Sequence, residues 1–177
     1  MAAEINPVEN PVDYKPWFDA VKRNDWCAAK EFLTLHPSAI TATDSWGDTA
    51  LHNATYEGRE QIVEELVQLM TEEQFETKNT FGETALTIAA AKNIKIVECL
   101  VAKNKKLLGI ARDSSQMTPI LIAAKNHRWD IVRYLYSVTP LEDLKPDKGT
   151  CGSELVICCL RAKQFDIRAF YQPRSPF

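Results

Sequence analysis

The stretch DSWGDTALHNATYEG, residues 44–58, decides how the chain is read. It places Gly47 two residues before Thr49 and follows the threonine with Ala50-Leu51-His52. A glycine tolerates the positive φ that a tight turn requires. A threonine just before an apolar run has the chemistry of a helix N-cap, its hydroxyl accepting from a main-chain N–H that lacks a partner inside the helix. The expected local structure is a turn, a cap, a short helix over about 50–57, and a second turn at Gly58. Trp46 and His52 also invite a ligand-pocket or catalytic reading, and the rest of the chain has to decide between these.

The rest of the chain repeats the stretch. NTFGETALTIAAAKN occupies 79–93 and DSSQMTPILIAAKNH occupies 113–127. Thr49, Thr84 and Thr118 are spaced 35 and 34 residues apart, and Asp44, Asn79 and Asp113 keep the same register. KGTCGSELVICCLRAKQ (148–164) is a weaker copy, with Ser153 at the threonine position. YKPWFDAVKRNDWCAAKEFLTLHP (14–37) shares the helical pattern without Gly-x-Thr. Gly82 repeats Gly47, and Pro119 after Thr118 suits a first helical position, where a missing N–H costs nothing.

A second helix follows each copy, with an apolar stripe: Ile62, Val63, Leu66, Val67; Ile96, Val97, Leu100, Val101; Ile131, Val132, Leu135, Tyr136. One helix pair of this size cannot bury its stripe alone, so the units must stack. The expected fold is all-α, a solenoid of helix-turn-helix units joined by short β-hairpin-like loops. It has about four repeats (13–43, 44–78, 79–112, 113–147) and a degenerate, truncated fifth (148–171). Residues 1–12 are expected to form a flexible lead and 172–177 a disordered tail. Trp17, Phe18, Ala20, Val21, Phe32 and Leu33 would make the first unit an N-terminal cap.

Asp44, Gly47, Thr49, Leu51, His52 and Ala54 match D-x-x-G-x-T-P-L-H-x-A, and the chain thereby resembles the ankyrin repeat over about 13–171. The Trp/Leu-Gly/Tyr pattern of the tetratricopeptide repeat is absent. GDTALH with IVEELVQLM, FGETALTIAA and SELVICCLRAKQFDI further resembles plant ankyrin proteins that carry a C-terminal PGG domain. That domain supplies membrane helices in the family, and nothing of the kind is present before YQPRSPF. Membrane association would therefore need an anchor from a missing C-terminal region.

The resemblance implies recognition of another protein through a concave surface built from hairpin tips and inner-helix ends. The positions it assigns are Ser45, Trp46, Asp48, Tyr56, Glu57, Thr80, Phe81, Glu83, Lys92, Ser114, Met117, Lys125 and Asn126. Trp46 and Phe81 occupy the same repeat position, before the turn glycine, and Ser115 ends that aromatic series. Two readings stay open for the pair: anchors for a partner, or packing between adjacent fingers.

Chemistry is not expected. His52 has no Cys, Ser, Asp or second His placed to make a nucleophile or metal site, and the motif position makes it a scaffold histidine. The five cysteines show no metal-ligand spacing and suit a reducing intracellular compartment, as small buried hydrophobes. Cys158 and Cys159 stand where Ala89 and Ala90 stand in the third unit, so burial is expected; a thiol-dependent enzyme is the rival reading. No cofactor, metal, small-molecule substrate or catalytic residue is assigned.

A net charge of −3 gives no global pull toward nucleic acid, and none is expected as a partner. Hydrophobic residues at 45% and charged residues at 25% are globular values, which argues against a disordered chain. The N-terminus lacks a basic and an apolar region, so no signal peptide is read there, and the expected location is cytoplasmic. The acidic run over 57–76 and the basic run over 92–106 fall in neighbouring units and would attract weakly. Leu155, Ile157, Phe165, Ile167 and Phe170 lack a sixth element to cover them, which predicts fraying or self-association at the C-terminal end.

Overall fold

The computed structural model describes residues 12–113, 115–144 and 151–162. Among these described residues ten α-helices follow one another: α1 (Lys15–Lys22), α2 (Trp26–Leu35), α3 (Ala50–Tyr56), α4 (Glu60–Leu69), the single turn α5 (Glu72–Phe75), α6 (Ala85–Ala90), α7 (Ile94–Lys103), α8 (Pro119–Lys125), α9 (Trp129–Val138) and α10 (Cys151–Arg161). Helices α1, α3, α6, α8 and α10 pack on one another in order as an inner column, while α4, α7 and α9 form an outer one. After each outer helix a short turn leads to the next unit: Pro37–Ile40, α5, Lys105–Gly109 and Leu141–Leu144. The all-α solenoid expected from the repeats is the observed fold.

Sequence chemistry explains the boundaries. Thr49 sits extended at φ −75° and ψ 169°, and its hydroxyl accepts from the His52 N–H. Thr84 does the same for the Thr87 N–H. Thr118 does not cap its helix, contrary to expectation. Pro119 is already placed at the first turn, and the Thr118 Oγ1 lies 3.1 Å from the Cys151 Sγ on the next inner helix. Asp25 and Asn93 cap α2 and α7 by accepting main-chain N–H groups. Between paired helices the chain turns through positive φ at Gly58 (68°), and Asn24 (63°) and His127 (56°) take the corresponding place in other units.

The stripes are buried as read: Ile62, Val63, Leu66 and Val67 on α4, their counterparts on α7, and Ile131, Val132 and Leu135 on α9. Tyr136 is only half-buried against this core. Each full burial of such a side chain contributes about 1.5–3 kcal/mol before entropy is counted. The inner helices are short and almost wholly enclosed; α3 is buried from Ala50 through Thr55 and exposes only Tyr56. In the first unit Trp17, Phe18, Ala20 and Val21 are buried, with Phe32 and Leu33 half-buried against them.

Two expectations near the C-terminal end need correction. Leu155 is buried, because α10 docks on α8 and turns that side chain inward. Cys158 and Cys159 are half-buried, less enclosed than Ala89 and Ala90, because among the described residues no further helix packs on the far side of α10. Ile157 is exposed, as expected, and so are Val156 and Leu160. Phe165, Ile167 and Phe170, the flexible lead over 1–11 and the tail over 172–177 lie outside the described residues.

Candidate functional site

The loops between units fold as narrow fingers. Thr43 bridges Thr49 and Arg112 bridges Met117 in antiparallel fashion, which makes the first and third fingers hairpin-like. In the first finger the Asp44 carboxylate accepts the N–H groups of Trp46 (2.9 Å) and Asp48 (3.1 Å). In the second, Asn79 accepts those of Phe81 and Glu83, both at 3.0 Å. Gly47 and Gly82 turn the two tips at φ 73° and 71°. The third finger departs from this pattern. Its hairpin closes at Arg112, whose N–H donates to the Met117 carbonyl, and Asp113 instead pairs with Lys78 beside the preceding finger. Gln116 stands where the glycine would be and holds φ 52°.

The fingers are stitched edge to edge. The Thr80 N–H (3.0 Å) and hydroxyl (2.7 Å) both donate to the Trp46 carbonyl, and the Asn79 amide donates to Asp48 at 2.8 Å. The closeness depends on glycine: a Cβ on Gly82 would lie 2.6 Å from the Asp113 Cβ. His52 joins the first two full units. Its Nε2 donates to the Glu83 carbonyl at 3.1 Å, so Nδ1 is the acceptor for the Thr49 hydroxyl (2.8 Å) and N–H (3.2 Å). Burial pushes its pKa down, against the opposing charge of Asp48 and the hydrogen bonds it makes. A neutral, doubly bonded, enclosed imidazole is a structural part and has no site open to a substrate.

On this frame the expected binding residues fall into three groups. Ser45, Trp46, Tyr56, Glu57, Thr80 and Phe81 are exposed. Trp46 is 59% and Phe81 48% accessible, and their rings stack with centroids 6.0 Å apart. The pair therefore packs between fingers, as one of the two readings expects, and leaves an aromatic surface accessible. A second group is tied into the scaffold. Asp48 and Glu83 are half-buried, Glu83 lies 3.4 Å from Arg112, and Met117 packs against the core. Lys125 pairs with Glu154 at 3.3 Å, and the Asn126 amide donates to the Ile122 carbonyl. Ser114 lies outside the described residues.

Lys92 belongs to a third group, a ladder that the repeat pattern did not reveal. Its ammonium sits 3.4 Å from the centre of the Tyr56 ring and donates to the Tyr56 carbonyl. Arg59 donates likewise to the Lys22 carbonyl, and Arg128 to the Lys92 carbonyl. Arg59 and Lys92 thus cap the last residue of the preceding inner helix, where carbonyls lack partners and the helix dipole is negative, and Arg128 bonds a carbonyl two residues past the end of α6. The spacing 59, 92, 128 is a detectable signal, but the residue type varies and its partner is main chain. On the outer face Glu60 pairs with Lys95 (3.0 Å) and Glu72 with Lys106 (3.4 Å), which joins the acidic and basic runs as anticipated.

The family model described as ankyrin repeats (3 copies) matches residues 17–107 and 66–145. The chain belongs to the ankyrin-repeat family. Ankyrin repeats are protein-interaction modules and are typically non-catalytic. No curated protein sequence matches the chain. Among the described residues of this ankyrin array, no three His, Cys, Asp or Glu side chains lie close enough to hold a metal ion. Burial raises the pKa of Cys99, Cys151 and Cys159, with the neighbouring Cys158 adding to the effect at Cys159. That is opposite to the shift of an activated nucleophile.

Proposed function

We propose that this ankyrin array is a non-catalytic scaffold that holds another protein through its finger tips and inner-helix ends. The observation that carries the reading is the Trp46–Phe81 stack, two large aromatic rings left accessible side by side on adjacent fingers. Aromatic side chains of this kind dominate protein interfaces because they bury much area with little loss of conformational freedom. Tyr56, 61% accessible and held by Lys92, extends the same kind of surface toward the inner helices. Installing a photo-crosslinking phenylalanine analogue at position 46, and at the exposed Gln68 of α4 as control, tests this. A discrete crosslinked protein at 46 and not at 68 is expected; identical products from both positions contradict it.

A finer reading follows the resemblance to plant ankyrin proteins with a PGG domain, as the cytosolic part of a membrane-associated stress or defence signalling protein. The motif stretches over 44–69 and 148–167 support it. Among the described residues no helix is long and apolar enough to cross a membrane, so an anchor would lie elsewhere. Sequencing the transcript beyond the Phe177 codon tests this reading: an open frame encoding apolar spans supports it, and a stop codon removes it.

A further inference from the structure

We infer that the groove between α1 and the first finger takes an arginine side chain of the protein partner, seated on Trp46 and paired with Asp19. This deepens the scaffold reading and rests on it. The groove has a volume of about 470 Å³, and both Asp19 and Trp46 line it. It exists because the fingers stack in one direction. Trp46 is covered by Phe81 on the side of the second unit, while among the described residues no finger precedes the first. Trp46 lines the groove and Phe81 does not, so the groove lies on the side of Trp46 away from the second finger.

The charges in the walls favour a cation. Asp44 is spent on the scaffold: it accepts from Trp46, Asp48 and Asn53 and lies 3.8 Å from the Lys22 ammonium. Lys22 is thereby neutralised as well. Asp19 is half-buried, and its carboxylate makes no hydrogen bond or ion pair among the described residues. Its oxygens are not among the buried polar atoms without a partner, so the carboxylate is open to a charged donor from outside. Beside it is an accessible indole, the strongest aromatic partner for a cation. Arginine satisfies both at once, because its planar guanidinium stacks on a ring face while its edge pairs with a carboxylate in two hydrogen bonds. Lys15, the remaining basic residue of the wall, is exposed at the start of α1, where solvent and salt screen it.

The test uses the full chain labelled with fluorotryptophan, whose four indoles report separately by fluorine NMR, the Trp46 signal being assigned by its loss in W46F. The probe is the blocked pentapeptide Gly-Ser-Arg-Ser-Gly, compared with the same peptide bearing citrulline, which keeps the shape and removes the charge, or glutamate. A saturable shift confined to Trp46 is expected with the arginine peptide, with Kd on the order of 1 mM. Citrulline in the peptide, or D19N in the protein, should weaken it about five-fold with the melting temperature unchanged. Equal binding of the citrulline or glutamate peptide, or indifference to D19N, overturns the assignment. So does a Trp46 signal that moves only when residues 1–11 are removed, which gives the groove to the chain's own N-terminus. Crosslinking at position 46 separates the two levels of the argument. A partner captured there with a yield insensitive to D19N removes the arginine and leaves the scaffold reading standing.

Discussion

The Nε2 of His52 lies 3.1 Å from the main-chain oxygen of Glu83, so one imidazole closes the cap of its own helix and ties that helix to the next finger. Both of its nitrogens are used, and the ring is almost fully enclosed. Replacing His52 by alanine removes a cap interaction, leaves the Glu83 carbonyl short of a partner and opens a cavity. A loss of about 2–4 kcal/mol is expected in urea unfolding. A loss below about 1 kcal/mol would show that the bridge is dispensable.

The same residue makes stability depend on pH. Burial lowers the folded-state pKa of His52 below its ordinary value of 6.5. The unfolded chain therefore takes up a proton first as the pH falls. Stability from this group is fully present above about pH 6.5 and declines below it, until the folded-state pKa is also passed. The limiting slope is about 1.4 kcal/mol per pH unit. Urea midpoints measured from about pH 7.5 to 5.5 should fall more steeply for the natural chain than for His52→Asn; parallel curves would exclude His52 as the cause.

Glycine at a turn of this array has two separable jobs. Gly58 and Gly82 both hold positive φ, 68° and 71°, but a Cβ on Gly58 meets nothing within 4 Å, whereas one on Gly82 meets Asp113. Gly58→Ala should cost about 1 kcal/mol, the conformational term alone. Gly82→Ala should cost at least about 2 kcal/mol more, because the third finger must move away. Equal losses by thermal unfolding would mean that the fingers are not closely stacked in solution.

What was legible from the sequence follows from what repeats. Gly47, Gly82, Thr49 and Thr84 act through local backbone geometry, so spacing alone identified turn and cap. The outer-helix stripes were legible because burial imposes a helical period. Three things were hidden, each for a physical reason. Thr118 has the residue type of a cap but spends its hydroxyl near Cys151, a tertiary contact no local pattern encodes. The ladder of Arg59, Lys92 and Arg128 bonds main-chain carbonyls, which leave no mark in side-chain identity. The groove beside Trp46 arises where the stack of fingers begins, in a unit without the Gly-x-Thr signature.

Gln116 offers a stabilising change. It holds φ 52° at the position where the first two fingers have glycine. A non-glycine side chain there costs about 1–2 kcal/mol, and glycine returns about 0.4–1 kcal/mol of that through the greater freedom of the unfolded chain. Gln116→Gly should therefore raise stability by about 0.5 kcal/mol. An unchanged or lower melting temperature would show that the hydrogen bond from its amide to the Asp113 carbonyl outweighs the strain.

Trp46→Ala separates scaffold from function. The indole is more than half exposed and its stabilising contact is the offset stack with Phe81, a pairing that contributes about 0.5–1.5 kcal/mol. The finger beneath keeps its shape without the ring, since Asp44 holds the Trp46 and Asp48 main chain and Thr80 bonds the Trp46 carbonyl. None of those bonds uses the side chain. Stability should thus fall by no more than about 1.5 kcal/mol. Affinity for a protein captured at this surface should fall by at least ten-fold, the behaviour of an aromatic anchor. Calorimetric titration of that partner together with urea unfolding gives both values. A large loss of stability with unchanged affinity would make the stack a packing device and move the binding surface elsewhere on the array.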